Sequence, residues 1–415
     1  MKLEIRYGRD ATQQTEVGDG ELIGVIGPNK VNVGDAREEI ERALNEPLGI
    51  EGIEEFLAGG EEVVFIVNDG TRPTPTAAVL RVLSQKCDLS RSRFLIATGT
   101  HRSPTEEEYR FMFGDILDEI RDRIHSHDSL ADEMVDLGRS KNGTLMEINR
   151  IAVDADRLVI ITSVEPHYFA GYTGGRKSFL PGVASFGTIE ANHRLAMDSA
   201  AQALVLDGNP VHEDMMDALK AVEGKRIFSV QAVLDREHRI YRVAAGDLHK
   251  AFGQAVVWAD EVFSVGIPEK ADIVISVAPY PMDVDLYQSQ KALDNGKWAL
   301  KDGGTLIMVS KCREGVGHAT FLNQLSCSND PRSVLESLEG EYRLGYHKAA
   351  KMAEIASWAR IYAVTDLDPE TIRKAHMVPF QTVDEALKEA LRDRPGAKVL
   401  VLTDGSMTVP KVVDR

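Results

Sequence analysis

At 415 residues the chain is too long for one ordinary hydrophobic core, so two domains are expected. Hydrophobic residues make up 43% and charged residues 27%, the balance of a soluble globular protein. The net charge of -17 argues against nucleic acid and anionic membranes as partners, while local basic groups still allow a small anionic substrate.

The chain starts Met1-Lys2-Leu3-Glu4 and runs into charged sequence with no apolar signal-peptide core, and no apolar run reaches transmembrane length. Cys87, Cys312 and Cys327 are far apart and odd in number. They read as reduced thiols, and a cytoplasmic protein is expected.

In chain order, the first strand signal is Val63-Val64-Phe65-Ile66-Val67, which runs into Asn68-Asp69-Gly70-Thr71-Arg72. Thr74-Pro75 then opens a helix, with Thr74 as N-cap and proline in the first turn. Phe94 to Ala97 is the next strand and leads into Thr98-Gly99-Thr100-His101-Arg102. Ser103-Pro104-Thr105-Glu106 fits a capping box for a second helix. Asn142-Gly143 suggests a hairpin turn. Leu158 to Ile161 is a third buried strand, leading to Glu165-Pro166-His167. Residues 225–265 read as β-rich connecting structure. The pattern then restarts, with strands at 273–277, 305–309, 361–364 and 399–402 and a helix over 286–300. Near-continuous apolar runs separated by amphipathic helices are the mark of a parallel sheet with both faces covered. The Glu61-Glu62 and Glu106-Glu107-Glu108 runs read as solvated faces.

The fold class expected is therefore α/β, in two domains. Residues 1–269 would form an N-terminal domain and residues 270–415 a C-terminal one, each with a mostly parallel sheet flanked by helices. Open parallel sheets bind ligands outside the carboxyl ends of their strands. Asp69, Arg72, His101 and His167 each follow a strand at that end. Gln288 and Lys291 are three apart on a helix and share a face. An active site in the interdomain cleft would bring Arg72 and Lys291 to one anion, which suits a carboxylate or phosphate.

The densest chemistry lies in His167-Tyr168-Phe169-Ala170-Gly171-Tyr172-Thr173-Gly174-Gly175-Arg176-Lys177-Ser178, followed by Asn192-His193-Arg194. Imidazoles, a glycine-rich turn and a lysine in one segment can move protons, hold a metal or form a covalent bond. The loop is not a P-loop, because Arg176 stands where glycine precedes the lysine and Pro181 interrupts the helix that should follow. His125 and His127 could pair on a metal, but no third ligand is evident nearby, and a solvated loop is the plainer reading.

These segments, with Asp69-Gly70-Thr71-Arg72, Gly99-Thr100-His101-Arg102 and Tyr287-Gln288-Ser289-Gln290-Lys291-Ala292-Leu293, resemble the nickel-pincer lactate racemase family. The resemblance runs in order over roughly residues 1 to 300. It implies a racemase or epimerase that inverts C2 of a 2-hydroxy acid through a 2-keto acid. It implies a nickel pincer nucleotide, a nicotinic-acid-derived mononucleotide, tethered covalently to Lys177 with His193 as the protein's nickel ligand. The residues fit in roles. The resemblance implies that His101 and His167 are the two acid–base groups, that Arg72, Gln288 and Lys291 hold the substrate carboxylate, that Asp69 and Tyr287 orient them from behind, and that Thr173, Gly174 and Gly175 contact the cofactor. Enzymes that build the cofactor are expected as partners. Two other readings share these residues: an epimerase of a sugar acid or hydroxy dicarboxylate, with Arg102 or Lys311 as an extra cation, and a non-catalytic carrier of the nickel cofactor. A Schiff-base enzyme using Lys177 is a third, but has no use for His193.

Overall fold

A computed structural model of the chain describes residues 1–18, 20–58, 62–222, 224–338, 340 and 342–413. Glu61, read above as part of a solvated acidic run, lies outside the described residues. The chain divides into two compact units, residues 30–262 and residues 1–29 with 263–415.

In the unit of residues 30–262 the main sheet has six strands among the described residues. Their order is Ile240–Gly246, Arg226–Leu234, Arg157–Ser163, Val63–Asn68, Arg93–Ala97 and Ile124–Ser126. All neighbours are parallel except Ile240–Gly246, which runs antiparallel to Arg226–Leu234. The alternation of strand side chains explains the unbroken apolar runs. Phe65, Val67, Phe94, Ile96, Val159 and Ile161 enter one core cluster, while Val64, Ile66, Leu95, Leu158 and Ile160 enter another. Phe65 stacks on Phe94 at 5.1 Å and Phe113 meets Phe94 edge-on at 5.8 Å, contacts that contribute about 0.5–1.5 kcal/mol each beyond their buried area.

Among the described residues the main sheet of the other unit has six parallel strands in the order Val378–Phe380, Arg360–Val364, Leu300–Val309, Ala271–Val277, Val399–Leu402 and Leu22–Ile26. Its edge strand comes from the start of the chain: Leu22 pairs with Val399 and Ile26 with Leu402. The hairpin of Lys2–Tyr7 and Ala11–Glu16 also belongs here, burying Leu3 and Ile5 beside Ile273, Ile275 and Val399. Residues 1–29, expected with the first domain, thus lie with the second unit. Backbone pairing and apolar burial both hold them there.

Four local expectations shift. Thr74 does not cap the helix Thr76–Lys86, whose N-cap is Pro75. Its hydroxyl bonds the Asn68 side chain at 3.0 Å and Ser163 Oγ at 2.9 Å instead. The capping box of helix Glu106–Phe113 is Thr105 with Glu108, two residues later than expected, and Glu108 also accepts from Arg102 at 2.7 Å. Residues 225–265 contain two strands and then the helix Leu248–Phe263. The helix expected over 286–300 spans Leu286–Gly296 and ends in a 3-10 turn, Lys297–Ala299. Cys87, Cys312 and Cys327 are free thiols. Among the described residues no helix is long and apolar enough to cross a membrane.

Candidate active site

In the unit of residues 30–262 the chain leaves Val63–Asn68 for the strands on one side and returns as Arg157–Ser163 on the other. The carboxyl ends of these two neighbours form the topological switch point, where open α/β sheets bind ligands. The cavity there is about 130 Å³ and is lined by Asp69, Arg72, His101, His167, Thr173, Gly174, Lys177 and His193. Eight of the sequence-derived site residues therefore share one crevice. Its size suits a small acid or the reactive end of a cofactor, since pockets for larger ligands run to roughly 300–1,000 Å³.

His101 stands on the turn after Arg93–Ala97, and its Nδ1 lies 2.6 Å from Asp69 Oδ2. Burial alone would raise the Asp69 pKa. The hydrogen bond and charge of His101, the Thr71 hydroxyl at 2.7 Å and the charge of Arg72 outweigh it and hold the pKa below the usual carboxylate value. An ionised Asp69 accepts a proton-bearing Nδ1, so His101 keeps Nε2 as its basic nitrogen. The His101 side chain is 48% exposed, which leaves that nitrogen open to a ligand.

His167 is buried on the short hairpin of Pro166–His167 and Gly171–Tyr172. The Ala170 N–H donates to its Nδ1 at 3.3 Å, a long bond that helps orient the ring. Phe169, not singled out from sequence, is the hub of the site. Its ring meets His167 at 4.5 Å and His193 at 5.1 Å, both edge-on, and Lys177 Nζ stands 5.8 Å from its centroid. His193 lies near the end of helix Phe186–Arg194. Desolvation, followed by the positive charge of Lys177 and of His101, pushes its imidazole down to about 3, against a backbone bond to Ile189. A ring kept neutral is the form that binds metal.

The turn that presents Lys177 tolerates no side chain at Gly174. Its φ is +83°, and a Cβ there would stand 2.5 Å from Val164 Cγ2 and 2.8 Å from Gln231 Oε1. Gln231 Oε1 also accepts the Gly175 N–H at 3.0 Å, so that amide is engaged within the protein and not turned to the crevice. Arg176 is fully buried beneath the turn. It donates to the carbonyls of Ala170 (2.7 Å), Thr173 (3.2 Å) and Gly174 (3.3 Å) and to His212 Nδ1 (3.0 Å), with its guanidinium 4.5 Å from the Phe252 ring centroid. Burial pushes its pKa down to about 9. Arg176 thus braces the loop, and Lys177 is the residue it presents.

Tyr287, Gln288 and Lys291 lie on helix Leu286–Gly296 of the other unit. Asp285 caps that helix by accepting the Gln288 N–H at 2.6 Å, and Lys348 Nζ stands 3.8 Å over the Tyr287 ring. Burial raises the Tyr287 phenol to about 12, so it stays protonated. Of the extra cations, Arg102 is held by Glu108, and Lys311 lies 3.8 Å from Asp366.

His125 and His127 do not form a metal pair. His125 binds Asp132 at 2.8 Å, and His127 donates to the Ala184 carbonyl at 2.9 Å and accepts from Asn149 at 3.0 Å. Among the described residues no group of three or more His, Cys, Asp or Glu is placed to hold a metal. Volume alone would favour another hollow in this unit, of about 840 Å³. None of the motif residues lines it, and four of its charged residues are taken up in the pairs Lys220–Asp217 and Arg226–Glu51. The switch-point crevice, which gathers the motif residues, is the candidate site.

Residues 7–204 match the lactate racemase N-terminal domain and residues 267–409 the lactate racemase C-terminal domain. The chain is 34% identical over 422 residues to the lactate racemase of Thermoanaerobacterium thermosaccharolyticum, covering 97% of each chain. It is 35% identical over 391 residues to that of Lactiplantibacillus plantarum, covering 90% of this chain and 91% of the relative. The solved apoprotein of the Thermoanaerobacterium enzyme superposes with a TM-score of 0.91 at 32% identity, covering 99% of this chain and all of that one. A Thermotoga maritima protein shares the fold at 17% identity and a TM-score of 0.68, over 92% of this chain. This chain belongs to the lactate racemase family and is a racemase, an isomerase by class.

Proposed function

We propose that this racemase inverts C2 of a small 2-hydroxy acid through a planar 2-keto acid, with a nickel pincer nucleotide tethered to Lys177 and ligated by His193. The observation that carries the reading is the shared cavity of His101, His167, Lys177 and His193. The residues suit such a cofactor. An amine and an imidazole held neutral line one small space, and a group that brings most of its own metal donors needs only one from the protein. When bound, the cofactor supplies a hydride acceptor and donor.

The chain's own residues supply binding and proton transfer. The α-hydrogen of a 2-hydroxy acid is too weakly acidic to leave as a proton, so the histidines act on the hydroxyl. His101 Nε2 takes the hydroxyl proton, and the imidazolium that forms is stabilised by Asp69 through Nδ1. His167 does the same for the opposite hand and returns the proton to the keto oxygen. Phe169 keeps that ring in register with His193. Arg72 holds the substrate carboxylate. The reading carries with it a reducing cytoplasm and dedicated cofactor-synthesis enzymes.

The test is intact mass spectrometry with nickel analysis, on protein made in a host that carries the cofactor-building enzymes. A nicotinate-derived adduct on Lys177, lost in Lys177→Ala, with stoichiometric nickel and interconversion of D- and L-lactate is the expected result. No adduct, in a host that loads a known family member, would sink the cofactor assignment. A loaded protein that leaves lactate alone but epimerises a sugar acid or hydroxy dicarboxylate would move the substrate class.

A further inference from the structure

Arg72 is not an unoccupied cation awaiting a substrate. It stands between two carboxylates: Asp69, on its own turn, and Glu165, whose Oε1 lies 3.5 Å from Arg72 Nη1. Glu165 is itself anchored. Its N–H donates to Thr173 Oγ1 at 2.9 Å, and its carbonyl accepts the Thr173 N–H at 2.8 Å. The Thr173 hydroxyl in turn donates to the Ser163 carbonyl at 2.9 Å, the last residue of strand Arg157–Ser163. Glu165 is thus fixed at the base of the hairpin that carries His167, and its side chain is only 15% exposed.

We propose that Glu165 is the positioning residue for Arg72: it holds the guanidinium toward the crevice, so that a substrate carboxylate meets a fork already aimed. This rests on the 2-hydroxy acid reading above. Arginine presents five donors in a rigid plane, so one edge can stay on Glu165 while the other accepts a carboxylate. A loose arginine arm loses rotamer freedom at each binding event, and anchoring removes that cost beforehand. The same bridge links the loop after Val63–Asn68 to the hairpin of His167. The group that holds the carboxylate and one group that moves the proton then share a support.

The experiment is a double-mutant cycle on the loaded enzyme with Glu165→Ala, Arg72→Ala and both. Glu165→Ala should raise KM roughly 3- to 10-fold, the effect of freeing one rotamer-rich side chain, with kcat changed by less than about twofold. Glu165→Gln, which keeps an oxygen acceptor, should restore most of the KM. In the Arg72→Ala background Glu165→Ala should change KM no further. Unfolding midpoints of the four proteins should be non-additive, which tests the pairing without reference to activity. A fall in KM would mean that Glu165 competes with substrate and overturns the proposal, as would additive effects on KM and midpoint. If no 2-hydroxy acid turns over but the midpoints are non-additive, the functional reading fails and Glu165 still positions Arg72.

Discussion

Two histidine–aspartate groupings stand at neighbouring strand ends of the same sheet. After Arg93–Ala97, His101 meets Asp69 through Nδ1 with its side chain 48% exposed. After Ile124–Ser126, His127 is wholly buried, and both its ring nitrogens are engaged, by the Ala184 carbonyl and the Asn149 amide. The first keeps a nitrogen for chemistry. The second uses its whole ring to tie a strand end to the segment around Ala184. A carboxylate beside a histidine therefore does not mark a proton-transfer group; an open second nitrogen does.

The largest test of that contrast is His101→Ala. Racemisation should fall roughly 10²–10⁴-fold, with cofactor retained and the unfolding midpoint nearly unchanged. Loss of cofactor or of fold would make His101 a structural residue like His127. Asp69→Asn should lower kcat by less, because the base remains but its imidazolium loses the charge that stabilises it. His127→Ala reverses the pattern. It should cost about 1–3 kcal/mol of stability by orphaning buried partners, while activity per folded molecule is kept; this is read by denaturant titration beside an assay.

Acid sharpens the comparison further. Burial lowers the pKa of His127, and burial with the Arg176 charge pushes His212 down to about 4. Both are depressed below the unfolded value of about 6.5, so the unfolded chain binds protons that the native one refuses. Their contribution is full above about pH 6.5 and is lost as pH falls toward the folded pKa. Unfolding free energy should therefore decline from pH 7 to pH 5, and less steeply in His212→Asn. A flat profile would refute the buried neutral state. The smallest effect belongs to His125→Ala, within about 1 kcal/mol, because its pair with Asp132 is partly exposed.

Much of this site was legible in the sequence because it sits where periodic strands stop. The runs around Val63, Phe94 and Leu158 are buried on both faces, and each hands its polar successor to the same edge. What escaped reading depends on distance or on local competition. The helix Leu248–Phe263 carries Val256, Val257 and Trp258, which suggest a strand, yet Leu248, Ala251, Phe252, Ala255, Ala259 and Val262 are buried at helical spacing. Glu165 before a proline reads as a solvated loop residue, and nothing local points it at Arg72, far back in the chain. Phe169 looks like an ordinary core aromatic until the rings around it are known.

The strand Leu22–Ile26 has one more consequence. Its sheet partner, Val399–Leu402, leaves the ribosome more than 370 residues later. Residues 30–262, which hold the switch-point crevice, are complete well before that strand can dock. During synthesis the unit of residues 30–262 can mature while strand Leu22–Ile26 still waits for its partner. A chain halted after about residue 262 would present Lys177 on a folded unit, with strand Leu22–Ile26 lacking its sheet partner.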